Sequence, residues 1–258
     1  MFEIFIVSIV TFGAAILTFF SGFGLGTILT PVMMIFFPTE VAIAFTGLVH
    51  FSNNIFKFFL VGKNIDKKVL IRFGLPSIIA ALIGAYLLIL IDSDIVIFSY
   101  YFFDKKIDVI LVKFLISILL IIFAIIDLIP QVNNLHFDKK YLPLGGFLSG
   151  FFGGLSGNQG ALRSAFLVKH GLEKSVFVAT TVAISSLVDI TRLSVYSTNF
   201  MNLNYSDFYQ LGFFSVVSAV AGSLIGNKLL KKVTIEQIKK LVALLLILLG
   251  ISLLIGIL

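Results

Sequence analysis

Residues 4–39 form a run of 36 without a single Asp, Glu, Lys, Arg or His. A water-facing surface could not be built from such a run. It is too long for one membrane crossing, which needs about 20 residues, and too short for two crossings with a loop. Gly22, Gly24, Gly26 and Pro31 interrupt it. A second uncharged run, 141–162, is broken by Gly150, Gly153, Gly154, Gly157 and Gly160. The apolar stretches after the two clusters, 27–37 and 161–168, are too short to cross and read as half-helices. Charged residues make up only 12% of the chain, against about 25% in soluble domains, so the bilayer must act as solvent. In 258 residues there is room for a single membrane domain of roughly six to eight crossings.

The other spans read as 41–61, 73–91, 107–129, 175–196, 208–227 and 241–258. The chain has no cysteine, which excludes disulfides, thiolate metal sites and Cys catalysis. Three scattered His give no metal constellation, and no cofactor is expected. The net charge of +6 sits mostly in short loops, so it marks a membrane face rather than a nucleic-acid surface. No cleavable signal peptide is evident, because no basic segment precedes the first apolar run.

The halves resemble each other, with residues 1–130 as a first repeat and 139–258 as a second. Gly74, Ser77, Ala81 and Gly84 recur at one offset as Gly212, Ser215, Ala219 and Gly222. Phe19-Phe20-Ser21-Gly22 recurs as Phe151-Phe152-Gly153-Gly154. Thr46 aligns near Thr180 or Thr181, and Lys57 near Arg192. Duplicated halves with broken helices at matching positions are a signature of secondary transporters. Loop charges orient them. Lys63, Lys67, Lys68 and Arg72 lie in one loop, and Lys228, Lys231, Lys232, Lys239 and Lys240 in another. Both belong on the cytoplasmic side. The loop 197–206 has no Lys or Arg. These positions agree only if each broken segment is a re-entrant hairpin. Each half is then one hairpin plus three crossings, so the repeats are inverted and both termini lie outside. The expected fold is an all-α polytopic membrane protein.

Irregular backbone survives at membrane depth only when it is buried in protein or lines a wet cavity. The clusters at Gly22, Gly24 and Gly26, and at Gly154, Ser156, Gly157, Asn158, Gln159 and Gly160, therefore read as turns whose N–H groups meet a ligand. Gly13, Gly84, Gly145 and Gly222 read instead as close-packing glycines. Arg163, on the first turn of the second half-helix, calls for an anion. Asp189 and Arg192, spaced i, i+3, either pair with each other or act on substrate as a gating or coupling pair. His50 is a candidate proton carrier or a hydrogen-bonded core histidine. Lys57 either snorkels to the surface or joins the gate. Asn53 and Asn54 are ligand candidates or interhelical links. Thr180, Thr181, Ser185 and Ser186 read as bonded to their own helix, and the Phe and Tyr residues as mostly lipid-facing.

Together these segments resemble the TauE/SafE sulfite exporters, the TSUP family of membrane transporters. The resemblance lies in two related halves, each opening on a Gly-rich break and an apolar half-helix. The first copy runs from Ser21 to Pro31 and the second from Gly153 through Arg163 to Ala165. The second copy lacks the proline and carries Asn158, Gln159 and Arg163. The resemblance implies transport of small sulfur-containing anions such as sulfite, thiosulfate or sulfonates across a prokaryotic inner membrane. The partners expected are the anion, the lipid bilayer and a coupled proton; the sequence does not fix an oligomeric state. A passive anion channel is the alternative. A third reading, an intramembrane serine protease, rests on Gly154-Leu155-Ser156-Gly157 with His170 as base.

Overall fold

The computed structural model describes residues 1–19, 24–91, 95–129, 138–168, 172–200, 206–229 and 235–257. Its helices are α1 (Phe2–Thr18), α2 (Gly26–Phe36), α3 (Thr39–Val61), α4 (Lys67–Leu90) and α5 (Leu111–Leu128) from the first half. The second half contributes α6 (Leu142–Ser156), α7 (Gly160–Val168), α8 (Lys174–Phe200), α9 (Ser206–Leu229) and α10 (Ile235–Leu254). Helices α4, α8 and α9 contain segments long and apolar enough to cross a membrane. At 17 residues α1 is only ~25 Å long, less than the hydrocarbon thickness of about 30 Å. Helix α6 is shorter still, at 15 residues. Both expected half-helices are present, as α2 and α7.

The helices meet through glycine rows. In α6, Gly146, Gly150 and Gly154 are four apart and line one face. A Cβ on each would lie 2.1–2.2 Å from the carbonyl oxygens of Phe73, Ser77 and Ala81, themselves four apart on α4. Only glycine allows two backbones so close. Ser77 Oγ donates to Gly146 O across the contact at 2.9 Å. On the other side of the molecule, Gly222 of α9 packs on Phe12 O of α1 in the same manner, at 2.4 Å. Helix α1 thus runs along α9 and α4 along α6, while α3 packs on α8 and α5 on α10. Gly84 and Gly145 are close-packed as expected, but Gly13 has open space around it.

Apolar side chains point outward along the long helices. Leu75, Ile79, Ile83, Tyr86 and Leu90 of α4 are all exposed, as a lipid-facing surface requires. Polar groups lie inside instead, including Thr11, Thr46, Asn53 and Asn158. The core of Val7, Leu29, Met33, Ile43, Leu120 and Leu246 joins helices from both halves.

The structure departs from the all-α expectation between α4 and α5. Strands β1 (Val96–Phe102) and β2 (Lys105–Ile110) form an antiparallel hairpin. Phe103 and Asp104 turn it with φ of 47° and 59°, which suits the twist of a two-residue hairpin loop. Tyr100 Oη donates to Ile255 O just past α10, tying the hairpin to the end of the chain. Ser99 donates to Asp108 Oδ1 at 2.5 Å, and Lys106 Nζ lies 3.0 Å from the same oxygen. These contacts hold the Asp108 carboxyl below its ordinary range, the Ser99 bond contributing most.

Candidate functional site

The two helix breaks face each other. Gly157 ends α6 with φ +78° and bonds back to Gly153 O at 3.1 Å; Asn158 and Gln159 are non-helical before α7 begins. Gly24 precedes α2 with φ +85°. Only glycine adopts either conformation without strain. A Cβ on Gly26 would stand 3.5 Å from Gly157 O, so the start of α2 abuts the end of α6. A Cβ on Gly157 would lie 2.9 Å from Arg192 Nη1 and 3.4 Å from Thr30 Oγ1, and one on Gly24 would lie 2.9 Å from His50 Nε2. Any larger residue would collide with the polar centre of the molecule.

That centre is organised by Asp189, which is fully buried. Its Oδ2 accepts from His50 Nδ1 at 2.6 Å and from Asn54 Nδ2 at 3.1 Å. Its Oδ1 accepts from Arg192 Nε at 3.0 Å and Gln159 Nε2 at 3.3 Å, with Arg192 Nη2 at 2.8 Å. An ionised carboxylate only accepts, so these donors satisfy it together. His50 and Asn54 share a face of α3 at i, i+4, and Asp189 and Arg192 share one of α8 at i, i+3. One carboxylate therefore links α3, α8 and the second break. Tyr196, one further turn along the same face of α8, donates its hydroxyl to Gly154 O.

A small cavity of about 20 Å³ lies against this network, with His50 and Asn54 in its wall. Thr18, Gly24, His50, Lys57, Arg163 and Thr181 are among its lining. Lys57 is 4% exposed and Arg163 1%. Lys57 Nζ sits 5.1 Å from the centroid of the Phe19 ring, a cation–π contact. Lys57 therefore does not snorkel; it faces the interior from α3. Arg163 faces it from the first turn of α7, where its N–H bonds to Gln159 O at 3.2 Å. No carboxylate lines the cavity among the described residues.

The other sequence-identified residues divide. Gln159 and Asn54 join the Asp189 network, and Gly26, Gly157 and Gly160 flank the breaks. Asn158 is buried, and neither amide atom of its side chain has a hydrogen-bond partner among the described residues. Asn53 links helices instead, its Oδ1 accepting from Ser223 Oγ of α9 at 2.7 Å. Gly22 lies outside the described residues. Gly150, Gly153 and Gly154 are inside α6 rather than in a turn: Gly150 and Gly154 pack on α4, and Gly153 faces Gln159 and Val188. Ser156 Oγ donates within its own helix to Phe152 O at 3.0 Å. Ser185 and Ser186 also bond to their own helix, whereas Thr180 Oγ1 accepts from Asp66 N at 3.0 Å.

Sequence reasoning passed over Phe19, Thr18, Thr30 and Tyr196. Grouped with the lipid-facing aromatics, Tyr196 is in fact 1% exposed. Its i+7 spacing from Asp189 was the available signal.

Comparison with known proteins bears on this arrangement. No curated protein matches the chain. The family model described as sulfite exporter TauE/SafE matches residues 7–253, from α1 to the last turn of α10. A match across nearly the whole chain, on a molecule with an apolar exterior and a charged interior, makes this a multi-pass helical membrane protein that belongs to the sulfite exporter TauE/SafE family.

Proposed function

We propose that the protein is a secondary carrier that exports small sulfur-containing anions, such as sulfite, thiosulfate or sulfonates, across a prokaryotic inner membrane. The observation that carries this reading is the cavity bearing both Lys57 and Arg163. A charge at membrane depth is costly, and it persists where it meets a partner or a transported ion. The cavity offers those two cations and the hydroxyl of Thr181 to an anion. Helices α2 and α7 both begin at the abutting breaks, which adds the positive ends of two helix dipoles. Among the described residues the protease reading gains no support: the Ser156 hydroxyl donates within its own helix.

In the proposed mechanism the two halves are inverted repeats that rock about this site. Reciprocal packing supports it: α1 on α9 answers α4 on α6, and α3 on α8 and α5 on α10 each pair equivalent helices. A two-fold axis in the membrane plane would generate this set of contacts. The His50–Asp189 pair joins α3 of one half to α8 of the other and is the proposed coupling element.

Thermal stability of the purified chain in detergent tests the site. A ligand at about 100 times its Kd stabilises by about 2.7 kcal/mol. One sulfur oxyanion or sulfonate should raise the unfolding temperature, and phosphate and acetate should not. Arg163→Ala should remove the shift while the protein remains folded. A shift that survives in Arg163→Ala would take Arg163 out of the site.

A further inference from the structure

The hairpin between α4 and α5 takes no part in the buried centre, and its register divides it into two unlike faces. Phe98, Tyr100 and Phe102 of β1 pair with Val109, Ile107 and Lys105 of β2, and successive residues point to opposite sides. Ser99, Tyr101, Lys106 and Asp108 make the other, more polar face. The middle of the apolar face rests on the end of α10. Tyr100 donates to Ile255 O, and a Cβ on Gly256 would lie 2.9 Å from Ile107 Cγ2 and 3.3 Å from Val109 Cγ2. To either side of that seat the face is uncovered: Phe98 and Phe102 are both exposed. At the tip Phe103 is 87% exposed, and its ring meets that of Phe102 edge to face at 4.7 Å. Phe103 also holds φ 47° at a turn position that favours Gly, Asn or Asp. That conformation is unfavourable for a bulky L residue, and the ring adds nothing to the core.

We infer that the hairpin is an interfacial anchor. Its face of Phe98, Phe102 and Phe103 lies in the headgroup boundary of one leaflet, and its Tyr101 face is turned to water. The occupant is lipid because this face continues a lipid-facing surface. Leu244, Leu248 and Ile251 of α10, with Ile255 just past it, are exposed at spacings of four, three and four, which makes one stripe. The stripe ends at the residue that holds Tyr100. The backbone sets the depth. Two strands leave one open edge each, and unpaired N–H and C=O groups stay out of hydrocarbon. A two-stranded hairpin alone is marginal in water, so it requires a supporting surface on its apolar face. Aromatic rings are at home at headgroup level. Charge gives no preference, since Asp104 and Asp108 balance Lys105 and Lys106, and Lys106 Nζ lies 3.0 Å from Asp108 Oδ1. The attachment is therefore apolar in origin and indifferent to headgroup charge.

The chain has no tryptophan, so a single introduced one reports alone. The test compares Phe102→Trp, Phe103→Trp and Tyr101→Trp, each in the purified full chain. The variants are reconstituted in phosphatidylcholine vesicles with or without phosphatidylglycerol. Lipids brominated near the top of the acyl chain should quench most of the emission of Phe102→Trp and Phe103→Trp. Aqueous iodide, present on both sides of the membrane, should quench little of it. Tyr101→Trp should show the reverse, and phosphatidylglycerol should change neither result. Strong iodide quenching at all three positions would mean a hairpin standing in water and would overturn the inference. Shielding of Phe102→Trp and Phe103→Trp from both quenchers would mean a protein cover, such as a second copy of the chain, and would overturn it as well. Should Phe102→Trp not fold, Phe103→Trp and Tyr101→Trp still decide.

Discussion

Asp189 and Lys57 are both buried charges on facing helices, yet they are held in opposite ways. Asp189 accepts from four side chains, whereas Lys57 lies against the ring of Phe19. Breaking a buried ion pair leaves an uncompensated charge and costs about 3–5 kcal/mol. Asp189→Asn should therefore lower the unfolding temperature far more than Lys57→Met, and it should uncouple transport from a proton gradient. Wild-type gradient dependence in Asp189→Asn would remove the coupling role. At this scale the sequence was partly legible. The i, i+3 spacing put Asp189 and Arg192 within reach of each other, and they pair. That His50 would find Asp189 across 139 positions could not be read, because no local spacing encodes a contact between halves.

At the scale of the element, glycine has two uses here, and composition alone does not separate them. Gly24 and Gly157 have positive φ and make the breaks, while Gly146, Gly150 and Gly154 let α6 lie on α4. The second cluster read as one turn because its packing row runs directly into its break. The spacing of four in that row was the clue to helix packing. Gly150→Ala would press a methyl carbon to 2.1 Å from Ser77 O and should destabilise the protein by about 3 kcal/mol, as overpacking does at its upper end. Gly13→Ala meets nothing within 4 Å and should stabilise by about 0.5–1 kcal/mol. Thermal unfolding of both variants checks this; a tolerated Gly150→Ala would contradict the close α4–α6 contact. The hairpin was missed for another reason. Its mixed Lys and Asp residues read as a loop, and that masked the β-branched and aromatic run from Val96 to Phe102.

For the whole molecule, the order of the helices was legible because apolar length is set by bilayer thickness. The short helices α2 and α7 fell where the breaks implied. The proposed inverted halves place the 62–64 turn inside and the end of α8 outside. Both are open to labelling, since Lys63 and Ser197 are exposed and the chain has no cysteine. In intact cells an impermeant thiol reagent should modify Ser197→Cys and spare Lys63→Cys. The reverse pattern would sink this topology.

The central claim is that one buried anion site is exposed alternately to the two sides. Counterflow in proteoliposomes tests it most directly. Vesicles preloaded with unlabelled sulfite should accumulate labelled sulfite transiently above equilibrium, and vesicles carrying Arg163→Ala should not. Labelled uptake that is indifferent to sulfite on the far side would mean a passive pore, and would contradict the account.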